Sequence, residues 1–249
     1  MMKIQHTFVF FISLFFVLNS AAQADDETVA DTIPRIEKFG LRVGIDLAKP
    51  VRTLVEDGYS GFEIMGDFRV TKKFYAALEL GNEKKDWIEP NITTKTSGSY
   101  AKIGFDFNAY ENWIGMENAI VLGLRYGFST FSQELLSYSV YTNNPAFPTE
   151  TVTTPQEFTG LTAHWAELIV GIKTEIVNNL YLSINAQLKR KITEAQPETF
   201  ENLYIPGFHR TYDYSQFGVG YGYSISYLIP IFKKTELPKT ENPEPTTDN

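Results

Sequence analysis

The sequence predicts an all-β fold, namely an eight-stranded antiparallel up-and-down β-barrel that crosses a membrane. Three observations predict it. The N-terminal segment has the pattern of an export signal, eight later segments alternate apolar and polar residues, and the connections between those segments alternate between short and long. Alternation with a period of two indicates strands, because successive side chains of a strand point to opposite faces.

Residues 1–24 have the pattern of a signal peptide. Lys3 supplies a positive charge, residues 8–18 form an apolar run, and Ala22, Gln23 and Ala24 match an A-x-A cleavage site. The apolar run is shorter than the ~20 residues of a spanning helix, which disfavours a membrane anchor. We therefore expect export. No later segment is long and apolar enough to span as a helix, so a membrane-resident form would have to be a barrel.

The rest of the chain divides into three predicted parts. Residues 25–35 form a short periplasmic segment, residues 36–232 form the barrel, and residues 233–249 form a disordered polar tail rich in Pro, Thr and Glu. The net charge of -8 argues against a nucleic-acid-binding surface. The absence of cysteine excludes a disulfide framework and a thiolate metal site.

The first predicted strand covers residues 39–47, where every second residue is apolar and the residues between include Arg42 and Asp46. The pattern returns seven times, in segments of about the 9–11 residues that a tilted membrane strand needs. Bacterial single-chain barrels have an even number of strands. The eight predicted strands lie near residues 39–47, 60–70, 73–82, 99–108, 119–131, 163–176, 180–190 and 216–232.

The connections give independent support for this assignment. Tight connections are predicted at residues 71–72 and 177–179, and a moderate one at 109–118. Long connections are predicted at 48–59, 83–98, 132–162 and 191–215. Outer-membrane barrels have short periplasmic turns and long extracellular loops. The pattern therefore predicts that both chain ends lie on the periplasmic side.

Alternation alone does not indicate which face points inward. A soluble lipocalin-like barrel has an apolar inside and the same period. The polar face here is rich in glycine, including Gly40, Gly44, Gly104, Gly127 and Gly222. Glycine weakens an exposed strand but fits the narrow interior of a small barrel. The membrane interpretation, with the polar face inside, is therefore favoured over the soluble one.

Charges on an inward polar face must find partners, because an unpaired buried charge is costly. The positive and negative residues of that face nearly balance, which predicts a filled lumen crossed by ion pairs. A selective ion path is the alternative function of the same set. The predicted lumen charge network consists of Arg42, Asp46, Glu63, Asp67, Arg69, Glu79, Lys102, Asp106, Arg125, Glu167, Lys173, Glu175 and Lys189.

From residue 36 to Phe232 the sequence resembles the small eight-stranded outer-membrane barrels, that is, OmpX-like proteins and the transmembrane part of OmpA. The resemblance depends on the A-x-A signal, on the repeated strands and on the aromatic finish of residues 229–232. It implies outer-membrane lipids and the barrel-assembly machinery as partners. The sequence departs from the family pattern in one respect, because a tail follows the last aromatic residue.

Two features are candidates for a specific site. His164, with Glu167 and Ser129 as neighbours, is the weak candidate for a lipid-modifying enzyme, but no nucleophile motif is present. The predicted loop 132–162 is the candidate for binding a surface partner, because exposed aromatic loops on a rigid scaffold commonly bind partners. Its aromatic residues are Tyr138, Tyr141, Phe147 and Phe158.

The sequence therefore predicts a non-enzymatic outer-membrane barrel with a filled lumen, which supports the envelope or binds an unidentified extracellular partner. We expect no catalytic residues, no cofactor and no metal. The alternatives are a narrow channel for ions or small solutes, a lipid-modifying enzyme, and a soluble periplasmic binding barrel.

Overall fold

A computed structural model of the chain describes residues 35–110, 118–139, 151–198 and 200–236. Lys38–Lys234 form one compact unit. Apart from the ends of the first and last strands, every described element lies in this unit. The predicted signal peptide lies outside the described residues.

The described residues form eleven strands and one helix, and this confirms the all-β class. The count of eight strands was too low, because three strands of two residues each occur in the connections. Among the described residues no helix has the length and apolarity needed to cross a membrane. The elements are β1 (Arg35–Asp46), α1 (Ala48–Val55), β2 (Tyr59–Arg69), β3 (Phe74–Glu89), β4 (Ile92–Asn108), β5 (Ala119–Ser139), β6 (Thr151–Val152), β7 (Gln156–Val177), β8 (Leu180–Glu194), β9 (Tyr204–Ile205), β10 (His209–Arg210) and β11 (Phe217–Glu236).

The eight long strands form one sheet that closes on itself. They are ordered β1, β2, β3, β4, β5, β7, β8 and β11, and β11 lies beside β1. Each long strand from β1 to β8 pairs antiparallel with the next one along the chain, and β8 pairs in the same way with β11. The short connections 70–73 and 178–179 lie at one end of this ring, which we call the turn-side half. The end that carries α1, the turn 90–91 and residues 195–216 is the loop-side half.

Two predicted long connections are wrong, because the strands continue further than expected. The predicted loop 83–98 is a hairpin in which Glu89 pairs with Ile92 around a two-residue turn. Most described residues of the predicted loop 132–162 belong to β5 and β7. The predicted loop 48–59 contains α1, and β11 continues to Glu236, four residues beyond the predicted end at Phe232.

The two faces of the ring differ as expected from the interpretation that puts the polar face inside. The polar series points inward and is buried, whereas the apolar series points outward. Most of the large outward apolar side chains are 38 % exposed or more, and we call these exposed residues the outward belt. Its members are Leu41, Val43, Phe62, Ile64, Phe68, Phe74, Leu78, Leu80, Ile103, Phe105, Ile120, Leu122, Leu124, Tyr126, Phe128, Leu168, Val170, Ile172, Leu182, Ile184, Leu188, Phe217, Val219, Tyr221, Tyr223, Tyr227, Ile229 and Ile231.

Candidate functional site

The interior of the ring contains the predicted charge network. Asp67 and Lys173 have side chains that are 13 % and 14 % exposed. Arg69 and Glu175 are half-buried near the short turns. The fully buried members are Arg42, Asp46, Glu63, Glu79, Lys102, Asp106, Arg125, Glu167 and Lys189.

Glu79 lies at the centre of the largest ion-pair cluster. Its two carboxylate oxygens accept hydrogen bonds from Lys102 Nζ at 2.8 Å and from Arg125 Nε at 2.9 Å. Arg125 also lies 2.7 Å from Asp106, and Lys102 lies within 3.7 Å of Glu167. These residues come from four neighbouring strands, so the cluster ties one side of the ring together. Each charge has an opposite charge beside it, as burial requires.

A second cluster lies nearer to the short turns. Asp67 is shared between Lys173 Nζ at 2.8 Å and Arg42 Nε at 3.3 Å. The guanidinium carbon of Arg42 also lies 4.4 Å from the ring centre of Tyr181. Arg69 donates its described hydrogen bonds to backbone carbonyls of the β2–β3 turn and of Lys38.

The two clusters border a hollow in the turn-side half. The space that water can occupy is about 60 Å³, enough for a few water molecules. Its lining includes the charged side chains of Glu79, Arg125 and Lys173 and the amides of Asn185 and Gln187. The turn-side interior is therefore filled by side chains except for this small polar hollow, which we call the vestibule.

Sequence analysis missed a second carboxylate centre, Glu83, because it fell in a predicted loop. Glu83 is fully buried, and Lys49 Nζ of α1 donates to its Oε1 at 2.6 Å. Tyr59 donates to the same oxygen at 3.0 Å. The alternation that marks inward residues does include Glu83, since Glu79, Gly81 and Glu83 continue the inward series of β3. No such pattern marks Lys49, because the position of α1 inside the ring depends on tertiary contacts.

The connection between β8 and β11 folds into the ring. Residues 204–210 form a short hairpin of β9 and β10, which we call the inward hairpin. Glu83 Oε2 accepts hydrogen bonds from Tyr204 Oη at 2.8 Å and from the Gly207 N–H at 2.9 Å. On the other side Lys189 Nζ donates to the Gly207 carbonyl at 2.7 Å. Glu83 thus binds α1 and the inward hairpin simultaneously.

The inward hairpin also completes an apolar core. Ile205 and Phe208 are at most 2 % exposed and pack with aromatic and aliphatic residues of the ring. Gly207 has φ +82°, and a Cβ there would lie 2.6 Å from Tyr100 Cγ, so both conformation and space require glycine. Gly127 similarly leaves room for the Trp165 indole, which would lie 2.1 Å from a Cβ at that position.

Electrostatics of the inward-folded segments follow from these contacts. Burial lowers the pKa of the Lys49 ammonium, but the charges of Glu83 and Glu63 outweigh it, and the pKa is raised overall. Burial, followed by the charge of Glu83, raises the pKa of the Tyr204 phenol well above its ordinary value. Burial, followed by the charge of Lys189, lowers the pKa of His209 to about 3. Lys49 is therefore charged at neutral pH, whereas Tyr204 and His209 are neutral.

The candidate enzyme residues are not brought together. His164 points outward, where its Nδ1 lies 2.8 Å from Tyr126 Oη. Ser129 and Glu167 are fully buried inside the ring, on the opposite face of the sheet. Ser129 donates to the Ser99 carbonyl, and Glu167 accepts from the Trp165 indole. This arrangement gives no support to a histidine-activated nucleophile, which requires hydrogen-bond contact.

The structure places described residues of the predicted surface loop in strands. Tyr138 lies in β5 and Phe158 lies in β7, so neither is a loop residue. Phe158 packs edge to face on Phe200, with ring centres 5.5 Å apart. Tyr141 and Phe147 lie outside the described residues. Within the part of the chain that the structure describes, no three His, Cys, Asp or Glu side chains are grouped to hold a metal ion.

Comparison with known proteins places the chain in a family. The family model described as "Domain of unknown function (DUF6048)" matches residues 1–234. The chain belongs to this family. A search of the curated proteins finds no match. The DUF6048 match includes the ring, α1 and the inward hairpin, and its description assigns no activity to them.

Proposed function

We propose that the protein is a β-barrel of the outer membrane whose wall is formed by the eight long strands, with both ends on the periplasmic side and an interior filled by its own side chains. It is non-enzymatic, and it supports the envelope or binds a partner through its loop-side half. This proposal keeps the resemblance to OmpX-like and OmpA-like barrels at the level of architecture.

The observation that carries the proposal is a reversal of polarity along single strands. On β5 the outward residues from Ile120 to Phe128 are apolar, and the next outward residues are Thr130, Ser132 and Glu134. The inward residues become less charged, from Arg125 to the buried Phe131 and Leu135, although Ser129 and Gln133 lie among them. This reversal is not expected if water surrounds the whole strand. It is expected if lipid surrounds the turn-side part of the strand and water surrounds the loop-side part.

The dimensions also fit a bilayer. From Ile120 to Phe128 the strand rises about 27 Å, at ~3.4 Å per residue. A strand tilt of about 40° reduces this to about 21 Å along the ring axis, close to the ~25 Å apolar band of outer-membrane barrels. A soluble protein rarely exposes an apolar patch beyond a few hundred Å², which argues against the lipocalin-like alternative.

Cell fractionation with a gel assay tests the location. We expect the full chain, expressed with its signal in a Gram-negative host, in the outer-membrane fraction. We expect its migration to change on boiling, because closed barrels stay folded in cold detergent. Recovery in the soluble periplasmic fraction would contradict the proposal.

The channel alternative has one specific observation in its favour, the vestibule of the turn-side half. Against it, α1 and the inward hairpin close the loop-side interior. Conductance in planar bilayers separates the two. We expect no single-channel steps from the wild-type protein, and reproducible steps would replace the filled-lumen proposal with the channel.

A further inference from the structure

The outward belt ends on β8 at a cation. Leu182, Ile184 and Leu188 are exposed apolar residues of this strand, and Arg190 is the next outward residue toward the loop-side half. Within the described residues no carboxylate pairs with Arg190. Its guanidinium carbon lies 5.9 Å from the ring centre of Phe217 on β11. Arg190 is thus an exposed charge without a described carboxylate partner, and the apolar Ile192, which is 53 % exposed, lies beyond it on β8.

The adjacent strand places a second polar group beside it. Arg190 pairs in register with Ala166 of β7, and His164 lies two residues further along β7 on the same outward face. Tyr126 Oη contacts His164 Nδ1 at 2.8 Å. When the tyrosine donates this hydrogen bond, Nε2 of the imidazole carries the hydrogen and is a donor. Ala166, whose side chain is small, is the register partner of Arg190 and lies two residues from His164.

We propose that Arg190 and His164 bind the phosphate of a lipid headgroup at this edge. The inference rests on the proposed membrane location and names one lipid chemistry that the outward face recognises. A guanidinium presents several N–H donors in the fork geometry that matches a phosphate, and its charge complements the anion. The belt below Arg190 contacts the acyl chains of the same lipid, and this joins headgroup and chain recognition in one place.

The test measures which lipid the full-length protein retains. The protein is reconstituted in vesicles that contain equal amounts of phosphatidic acid and a glucosyl diacylglycerol with the same acyl chains. After detergent extraction, native mass spectrometry counts the bound lipids. We expect about a tenfold preference for the phosphate lipid, of the size that one charge-assisted contact supplies.

Two variants and a matched control assign the preference to this site. Arg190→Gln is expected to reduce the preference below about twofold, and His164→Asn to reduce it about threefold. Lys84→Gln removes another exposed outward cation, on β3 beyond the belt, and is expected to leave the preference unchanged. Unchanged preference in Arg190→Gln, or equal loss in Lys84→Gln, would overturn the proposal.

A further arm distinguishes a lipid from a free anion. Glycerol phosphate at millimolar concentration is added during extraction, and we expect the bound lipid to remain. Displacement would overturn the lipid assignment. Failure of the membrane proposal is seen separately, because it would appear in cell fractionation before any lipid is counted.

Discussion

The turn-side and loop-side halves of the ring use the same alternation with opposite signs. In the turn-side half charged residues point inward and aliphatic residues point outward. In the loop-side half Phe131 and Leu161 point inward and pack with the inward hairpin, while the outward residues of β5 are Thr130 and Ser132. The period of a strand therefore indicates only that its two faces differ. What surrounds each level of the ring decides which face is apolar.

The interiors of the two halves are also stabilised differently. The turn-side interior depends on ion pairs such as Glu79 with Lys102 and Arg125, and these must all remain paired. The loop-side interior depends on apolar packing of a segment that folds inward. Glu83 lies between the two, because it pairs with Lys49 and also accepts the hydrogen bonds that hold the inward hairpin.

Removing the charge of Glu83 is expected to have the largest effect. Glu83→Gln keeps the shape but leaves Lys49 Nζ, which lies 3.7 Å from Glu63, without its nearest carboxylate. Breaking a buried ion pair costs about 3–5 kcal/mol. We expect the free energy of unfolding, measured with urea, to fall by this amount. We also expect protease to cleave within residues 195–216 at a lower urea concentration than in the wild-type protein.

Glu56→Gln is the matched control for this change. Glu56 accepts hydrogen bonds from Arg52 and Lys85, but its side chain is 36 % exposed. An exposed pair contributes only about 0–1 kcal/mol. Similar losses in the two variants would mean that Glu83 does not join the two halves.

Placing a charge on the outward face breaks the comparison directly. Leu124→Arg puts a guanidinium in the middle of the outward belt, whereas Thr130→Arg puts it on the same strand and face in the loop-side half. A lipid-exposed arginine at the bilayer midplane costs about 2–4 kcal/mol. We expect Leu124→Arg to reduce the folded fraction in lipid vesicles, measured by heat-modifiable migration, and Thr130→Arg to leave it unchanged. Equal behaviour of the two variants would contradict the polarity reversal.

The sequence predicted the turn-side half well for a physical reason. Strict alternation of residues such as Leu122, Leu124 and Arg125 reports strand and face together, so both the eight segments and the inward charges could be located. The ring position of Glu79 and Lys102 follows directly from that pattern.

The loop-side half could not be predicted in the same way. There Thr, Ser and Gln replace the strong contrast between faces, so β4 was predicted to begin too late, near residue 99, and β5 to end too early, near residue 131. The inward hairpin depends on contacts distant in sequence, such as that between Tyr204 and Glu83, and local pattern carries no information on them. Its signal was limited to Pro206 and Gly207, which predict a turn but not where the turn packs.

Acid is expected to weaken the inward hairpin. The pKa of His209 is about 3 in the folded protein, against an ordinary value of 6.5. As the pH falls below 6.5, a proton therefore binds His209 in the opened hairpin more readily than in the folded one, and this favours opening. The stability that depends on neutral His209 is complete above pH 6.5 and decreases by about 2 kcal/mol at pH 5. We expect protease cleavage of residues 195–216 to increase between pH 7 and pH 5.

His209→Asn removes the titration while keeping a residue that tolerates the positive φ of 82° at this position. We expect the variant to lose most of the pH dependence between pH 7 and pH 5. His164→Asn is the control, because His164 lies on the outward face. An unchanged pH profile in His209→Asn would assign the effect to other groups.

The smallest expected effect is a stabilisation, whereas Glu83→Gln and Leu124→Arg are expected to destabilise the protein. It distinguishes the interior of the loop-side half from that of the turn-side half. Thr96 and Gln133 face each other across β4 and β5, both fully buried, and neither the Thr96 hydroxyl nor the Gln133 amide has a hydrogen-bond partner. An unsatisfied buried polar group costs about 1–3 kcal/mol, and replacing it by an apolar group of the same shape removes that cost. We expect Thr96→Val to stabilise the protein by up to about 1 kcal/mol in urea unfolding.

Lys102→Met, an apolar replacement in the turn-side interior, is expected to destabilise the protein because Glu79 then loses a partner. If Thr96→Val instead destabilises the protein by 1 kcal/mol or more, a water satisfies that hydroxyl, and the loop-side interior is wetter than its packing indicates.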